Sequence, residues 1–247
     1  MRRVALAFLA HPDDAEFLCS GTLLRLGDLG WALHVATATR GDCGSMTHAA
    51  DQISAIRTRE AESAAAMIGA AYHCLDELDG RVCYDRATAQ KAFDLFRRVA
   101  PSLVFTHATS DYMVDHEQVA LLARSASFMY GCPNCSPVPR HPDSAPPHLY
   151  FCDPFEAVDA LGRPVVPTTL VDVSAQMEAR VEMLARHASQ REWLRAHHGV
   201  DEYVESMKRH AAARGRPIGA AFAEAFVQQR SHAFPRNELL DELFGNR

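Results

Sequence analysis

Through the first half of the chain, apolar runs of strand length alternate with segments whose apolar residues recur at helical spacing. Residues 4–9, 33–39, 71–75 and 102–106 read as four successive strands. Between and after them, residues 21–29 carry leucines at helical spacing, and residues 51–68 set Ile53, Ile56, Ala64 and Ile68 on one side. Residues 88–99 and 117–129 read as further helices. This βαβα order predicts an α/β fold: a Rossmann-like, mostly parallel sheet with helices on both faces. Residues 148–151 and 169–173 read as two more strands, residues 175–197 as a long helix, and the remainder as a helical C-terminal annex broken at Gly215 to Pro217. Residues 131–147, rich in Pro, Ser, Cys and Asn, read as a long loop inside one domain spanning residues 1–247.

Composition narrows the class. A net charge of −6 with no Lys/Arg block argues against a nucleic-acid partner, so a small-molecule substrate is expected. No segment approaches the roughly 20 apolar residues of a membrane span. The run after Met1-Arg2-Arg3 is too short for a signal peptide and ends without a small-residue cleavage site. With no such signal, the seven scattered cysteines predict reduced thiols and a cytoplasmic protein. Cys132-Pro133-Asn134-Cys135 with His141 invites a structural zinc site, but a lone C-x-x-C lacks the partner pair such sites use. The His197-His198 pair reads as exposed helix-end polarity.

The chemistry concentrates in Ala10-His11-Pro12-Asp13-Asp14-Ala15-Glu16, directly after the first strand. Open α/β sheets bind ligands at strand carboxyl ends. Carboxylates crowded there need a cation, and His with Asp is a ligand pair that zinc accepts. Helix capping would explain one Asp and Glu16, but not the whole cluster. A third ligand belongs at the end of another strand. His116, with Asp115 beside it, is the first choice; His107, nearer the strand end, is the competitor.

The loop from His11 to Glu16 and the later Asp115-His116 pair resemble the LmbE-like, or PIG-L, family of metal-dependent de-N-acetylases, which join an A-H-P-D-D loop to a later H-P-D-H loop. Thr39-Arg40-Gly41-Asp42 with Gly44 is similar to the family's substrate-side loop, and Arg57, Glu60, Ala64-Ala65 and Gly69 to its long helix. His187 with Ser189-Gln190 resembles a further family element. The resemblance implies His11, Asp14 and His116 as zinc ligands and Asp13 as general base towards a water made acidic by the metal. It also implies Arg57 and Asp42 as substrate contacts, and Asp115 and Glu16 as supports behind the site. The implied reaction removes an N-acyl group, N-acetyl in the family's pattern, from an amino-sugar-type small molecule. Alternatives are an amidase for a thiol-sugar conjugate or an acylated biosynthetic intermediate, and a metal-binding protein with degraded catalysis. Iron, manganese or nickel would accept the same ligands. Family members are often oligomeric, so a homo-oligomer stays open.

One position departs from the pattern. Met113 stands where the family has the first His of its second loop, and Val114 replaces the proline. In the family Asp115 would orient that His. A thioether cannot donate a hydrogen bond, and losing one oxyanion donor typically costs about 100- to 1000-fold in rate. His187, Tyr112 and His107 are the candidate replacements, His187 the favoured one.

Overall fold

The computed structural model describes residues 3–191 and 202–245. Strands β1 (Val4–Leu9), β2 (Ala32–Thr39), β3 (Ala71–Glu77), β4 (Leu103–Thr106), β5 (His148–Cys152), β6 (Thr169–Asp172) and β7 (Ala223–Gln228) form one sheet. Its order is β3-β2-β1-β4-β5-β7-β6. The first five strands pair in parallel, and β7 lies antiparallel between β5 and β6. The sheet is thus mixed and mostly parallel.

β1 is central, and every residue from 5 to 10 is fully buried, which is why it reads as a continuous apolar run rather than an alternation. Its side chains divide between two cores. Leu6, Phe8 and Ala10 pack with helices α4 (Arg86–Val99) and α5 (Val114–Met129) on one face. Ala5, Ala7 and Leu9 pack with α2 (Ser20–Asp28) and α3 (Ala50–Met67) on the other. Helices cover both faces, as the periodicity predicts.

Three expectations need correction. A short helix α1 (Asp14–Leu18) precedes α2, with a break at Cys19. The predicted long helix from residue 175 is broken too: α6 (Met177–Ala185) stops, and a new helical segment starts after His187. The remainder of that helix and the His197-His198 pair lie outside the described residues. The C-terminal annex contains α7 (Glu202–Gly215) and α8 (Leu239–Phe244), but residues 223–228 are β7, not helix. Ala and Glu are good helix formers, and in β7 the polar Glu224 and Gln228 are buried along with Ala225 and Phe226. No alternation was there to read. Glu224 is tolerated inside because it accepts from the Gly21 and Thr22 amides at 2.8 and 2.7 Å and pairs with Arg180 Nε at 3.1 Å.

No described helix is long and apolar enough to cross a membrane. Cys132, Cys135 and His141 form no metal-compatible group among the described residues. Cys135 Sγ instead faces the Met129 carbonyl at 3.0 Å.

Candidate active site

β1 and β4 are neighbours, and their chains depart to opposite sides, β1 towards β2 and β4 towards β5. That switch opens a crevice at the strands' carboxyl ends. The loop after β1 delivers His11, Asp13 and Asp14 to it; the loop after β4 delivers Asp111 and, at the start of α5, Asp115 and His116. Asp13 holds a left-handed backbone, φ 111° and ψ −23°. A non-glycine residue keeps such a conformation only where its surroundings over-determine it. Here Arg57 Nη2 donates to the Pro12 carbonyl at 2.6 Å, and Thr39 amide and hydroxyl both donate to the Ala10 carbonyl. Arg57 reaches Pro12 past Gly41, whose φ is +75° and whose absent Cβ would stand 2.6 Å from the Arg57 side chain. Glycine is required there twice over.

The ligand-capable atoms of His11, Asp14 and His116 lie within 4.8 Å of one another. His116 Nδ1 is 2.9 Å from Asp111 Oδ1, while its Nε2 is buried without a hydrogen-bond partner. A carboxylate holding one ring nitrogen and leaving the other bare is how proteins prepare a histidine for metal. His11 is arranged similarly: Nε2 lies 3.2 Å from Asp115 Oδ2, and Nδ1 faces Asp14 Oδ2 at 3.4 Å. Asp115 is anchored in turn by the Gly80 and Val82 amides at 2.6 and 3.2 Å. Burial opposes charge on His11, yet hydrogen bonds to Asp115 and Asp14 raise its pKa to about 10. Asp14 goes the other way. Burial alone would raise it, but His107 and His116 hold it well below the usual carboxylate range. Two imidazoles, a carboxylate and a bare buried nitrogen fit a divalent metal of the zinc type.

His107, the competing ligand, is already engaged. Its Nε2 accepts from the Ala10 amide at 2.9 Å and lies 3.1 Å from Asp14, and its ring stacks on His116 with centroids 3.8 Å apart. Burial, then the His116 charge, lowers its pKa to about 4. His107 therefore packs against Asp14 and His116 at the back of the cluster.

Asp13 makes no side-chain cap to α1. Its Oδ2 accepts from the Tyr203 hydroxyl at 2.6 Å and lies 3.4 Å from Arg57 Nη2. Burial raises its pKa against the pull of Arg57, which suits a proton acceptor.

Other predicted residues fall outside the crevice. Arg57, 4% exposed, points at backbone carbonyls and Asp13 rather than into open space. Asp42 accepts from the Asp79 amide at 2.8 Å and braces the neighbouring loop. His187 is 0% exposed, with Nε2 3.4 Å from Glu16 Oε2 at an angle that makes no hydrogen bond. Glu16 and His187 thus form a buried pair. Asp115 serves His11, whereas the resemblance assigned it to the missing histidine. Glu60 and Ser189 do meet, the Ser189 amide and hydroxyl donating to Glu60 at 2.9 and 2.6 Å.

Two residues escaped the sequence reading. Asp111 sits in the loop between β4 and α5, and its i, i+5 spacing to His116 is the available signal. Tyr203 comes from α7, with nothing in the sequence linking it to Asp13. The crevice opens into a pocket of about 720 Å³ lined by Asp13, Asp14, Asp111 and His116 at its floor. Phe17, Tyr112 and Phe155 group together along its lining, which Tyr203, Arg209, Glu156 and Asp159 complete.

A sheet with this switch point thus carries a His-Asp-His cluster that could hold a metal, beside the Asp13 carboxylate. Residues 6–127 match the family described as PIG-L, GlcNAc-PI de-N-acetylase, and the chain carries a PIG-L (LmbE-like) domain over that range. Over 95% of its length the chain is 24% identical to 4-oxalmesaconate hydratase of Pseudomonas putida KT2440, covering 91% of that protein. Its fold is similar to 4-carboxy-2-hydroxymuconate hydratase from P. putida KT2440, with TM-score 0.78 and 22% identity, covering 96% of this chain and 100% of that one. It is also similar to N,N'-diacetylchitobiose deacetylase from Pyrococcus horikoshii, with TM-score 0.76 and 20% identity, covering 96% and 88%. Family and relatives indicate an enzyme of the deacetylase or hydratase type.

Proposed function

We propose that the protein is a metal-dependent hydrolase that cleaves the N-acyl amide of a small amine-bearing molecule, an acylated amino sugar being the pattern compound. The observation that carries this reading is the bare, buried Nε2 of His116 beside Asp14 and His11, with Asp13 at the same pocket floor. Zinc held by His11, Asp14 and His116 would supply Lewis acidity and a water acidic enough to ionise near neutral pH. Asp13 takes the proton of the attacking water and returns it to the departing nitrogen. Tyr203 steers the Asp13 carboxylate, its hydroxyl donating a hydrogen bond to Oδ2 at 2.6 Å. Asp111 and Asp115 keep the two ligand imidazoles turned to the metal.

Charge favours an amide over a polyanion. Asp13, Asp14, Asp111, Glu156 and Asp159 line the pocket against Arg209. A neutral amide enters that field without repulsion, and the product ammonium is stabilised by it. Hydration of an unsaturated carboxylate is the second reading, favoured by the near full-length match to a hydratase. The deciding experiment loads the apoprotein with zinc and follows free amine from N-acetyl compounds alongside ultraviolet loss of conjugated alkenoates. Zinc-dependent amine release supports hydrolysis. Zinc-dependent alkene loss without amine release overturns it.

A further inference from the structure

The carboxylate floor occupies only part of the pocket. From the ligand His116 an unbroken run of rings leads outward: Tyr112 lies 5.4 Å from His116 between centroids, Phe155 6.2 Å from Tyr112, and Phe17 5.7 Å from Phe155. Leu18 and Val158 extend this wall. Tyr112 is 64% and Phe155 39% exposed, so the rings line the cavity without covering one another. Apolar rings left open beside a reaction centre mark a binding wall. The backbone beneath Phe155 supports that view. Glu156 and Ala157 are two successive non-glycine residues in the left-handed region, φ 59° and 61°. Strain of this kind persists only where the surrounding structure over-determines it, and these residues directly follow Phe155, whose ring meets Phe17 and Tyr112.

We propose that the outer half of the pocket is a specificity site for an apolar, ring-sized group carried next to the scissile amide and seated on Tyr112, Phe155 and Phe17. The inference rests on the hydrolase reading and narrows its substrate to an amphipathic amide: polar and acyl-bearing at the floor, apolar at the wall. The apolar group can belong to the acyl side or the nitrogen side, and the wall chemistry is the same for both.

Three metal-chelating hydroxamates separate these cases by calorimetry on the zinc-loaded protein: acetohydroxamic acid, benzohydroxamic acid with its ring on the acyl side, and N-phenylacetohydroxamic acid with its ring on nitrogen. One aryl compound is expected to bind about tenfold or more tighter than acetohydroxamic acid, the effect of partly burying a phenyl ring. That preference should collapse in Phe155→Ala and in Phe17→Ala. Equal affinity for all three compounds, or a preference that survives both substitutions, overturns the proposal. Saturation-transfer NMR of N-acetylbenzylamine on metal-free protein tests the wall by itself. Ring signal weakened by Phe155→Ala supports the site, and signal unchanged by it overturns the site. Failure of every hydroxamate with that NMR result intact would strike the metal reading and leave the wall standing.

Discussion

The loops after β1 and β4 place their chemistry on neighbouring residues, His11, Asp13 and Asp14 in one and Asp111, Asp115 and His116 in the other. The rest of the pocket lining is gathered from three distant segments: Phe17 in α1, Phe155 after β5, and Tyr203 in α7. The two regions are also satisfied differently. On the loop side each functional group is locked by a named partner, such as His116 by Asp111 and Asp115 by the Gly80 amide. On the wall side the groups are rings with open faces, joined to the loop side through the Tyr203–Asp13 hydrogen bond. On the reading proposed above, a site divided in this way keeps its reaction on one half and its choice of substrate on the other, so the halves should fail differently when altered.

The largest effect should come from removing metal. Chelation, or His11→Ala with His116→Ala, is expected to reduce turnover to background, with zinc restoring activity to the wild type alone; mass-spectrometric metal analysis checks occupancy. A double variant that still holds stoichiometric metal would end the assignment. Next comes Asp13→Asn, for which kcat should fall on the order of 100- to 10,000-fold while metal content stays at the wild-type level. Asp111→Asn should weaken metal affinity about 10- to 100-fold by releasing the His116 ring, as read in a chelator competition titration. The smallest effect is expected from Tyr203→Phe. Loss of one hydrogen bond to a charged group, about 1.5 kcal/mol, corresponds to roughly tenfold in kcat, with metal binding unaltered. If Tyr203→Phe proved as damaging as Asp13→Asn, the division between reacting loops and selecting wall would not hold.

The same division governs what the sequence discloses. His11, Asp13 and Asp14 lie on one short loop after a strand whose complete burial makes it a plain apolar run, so both the loop and its setting are legible. His116 is legible from its place after β4. Asp111 hides because its partner stands five residues ahead, across the start of α5, and such pairings depend on how the loop folds. Tyr203 and Phe155 are invisible for a stronger reason: nothing local distinguishes a pocket aromatic from a core one. Arg57 and His187 show the converse. They share segments with the family pattern, yet burial turns Arg57 towards the carbonyls that shape the Asp13 loop and His187 towards Glu16. β7 was missed because its buried Glu224 disguises a strand as a helix, its charge answered by amides about 200 residues away in sequence.

That last strand also bears on the order of events during synthesis. β6 stands at the sheet edge with β7 as its neighbour, and β7 is translated well after it. Until β7 emerges, β6 has nothing to pair with, Arg180 lacks the Glu224 carboxylate, and the Gly21 and Thr22 amides lack their acceptor. The five parallel strands and both reacting loops are by then already made. A nascent chain should therefore pass through a stage with its chemistry assembled and one flank of the sheet open, closing when Glu224 arrives. Protease digestion of ribosome-bound chains arrested before and after Gln228 would time that closure.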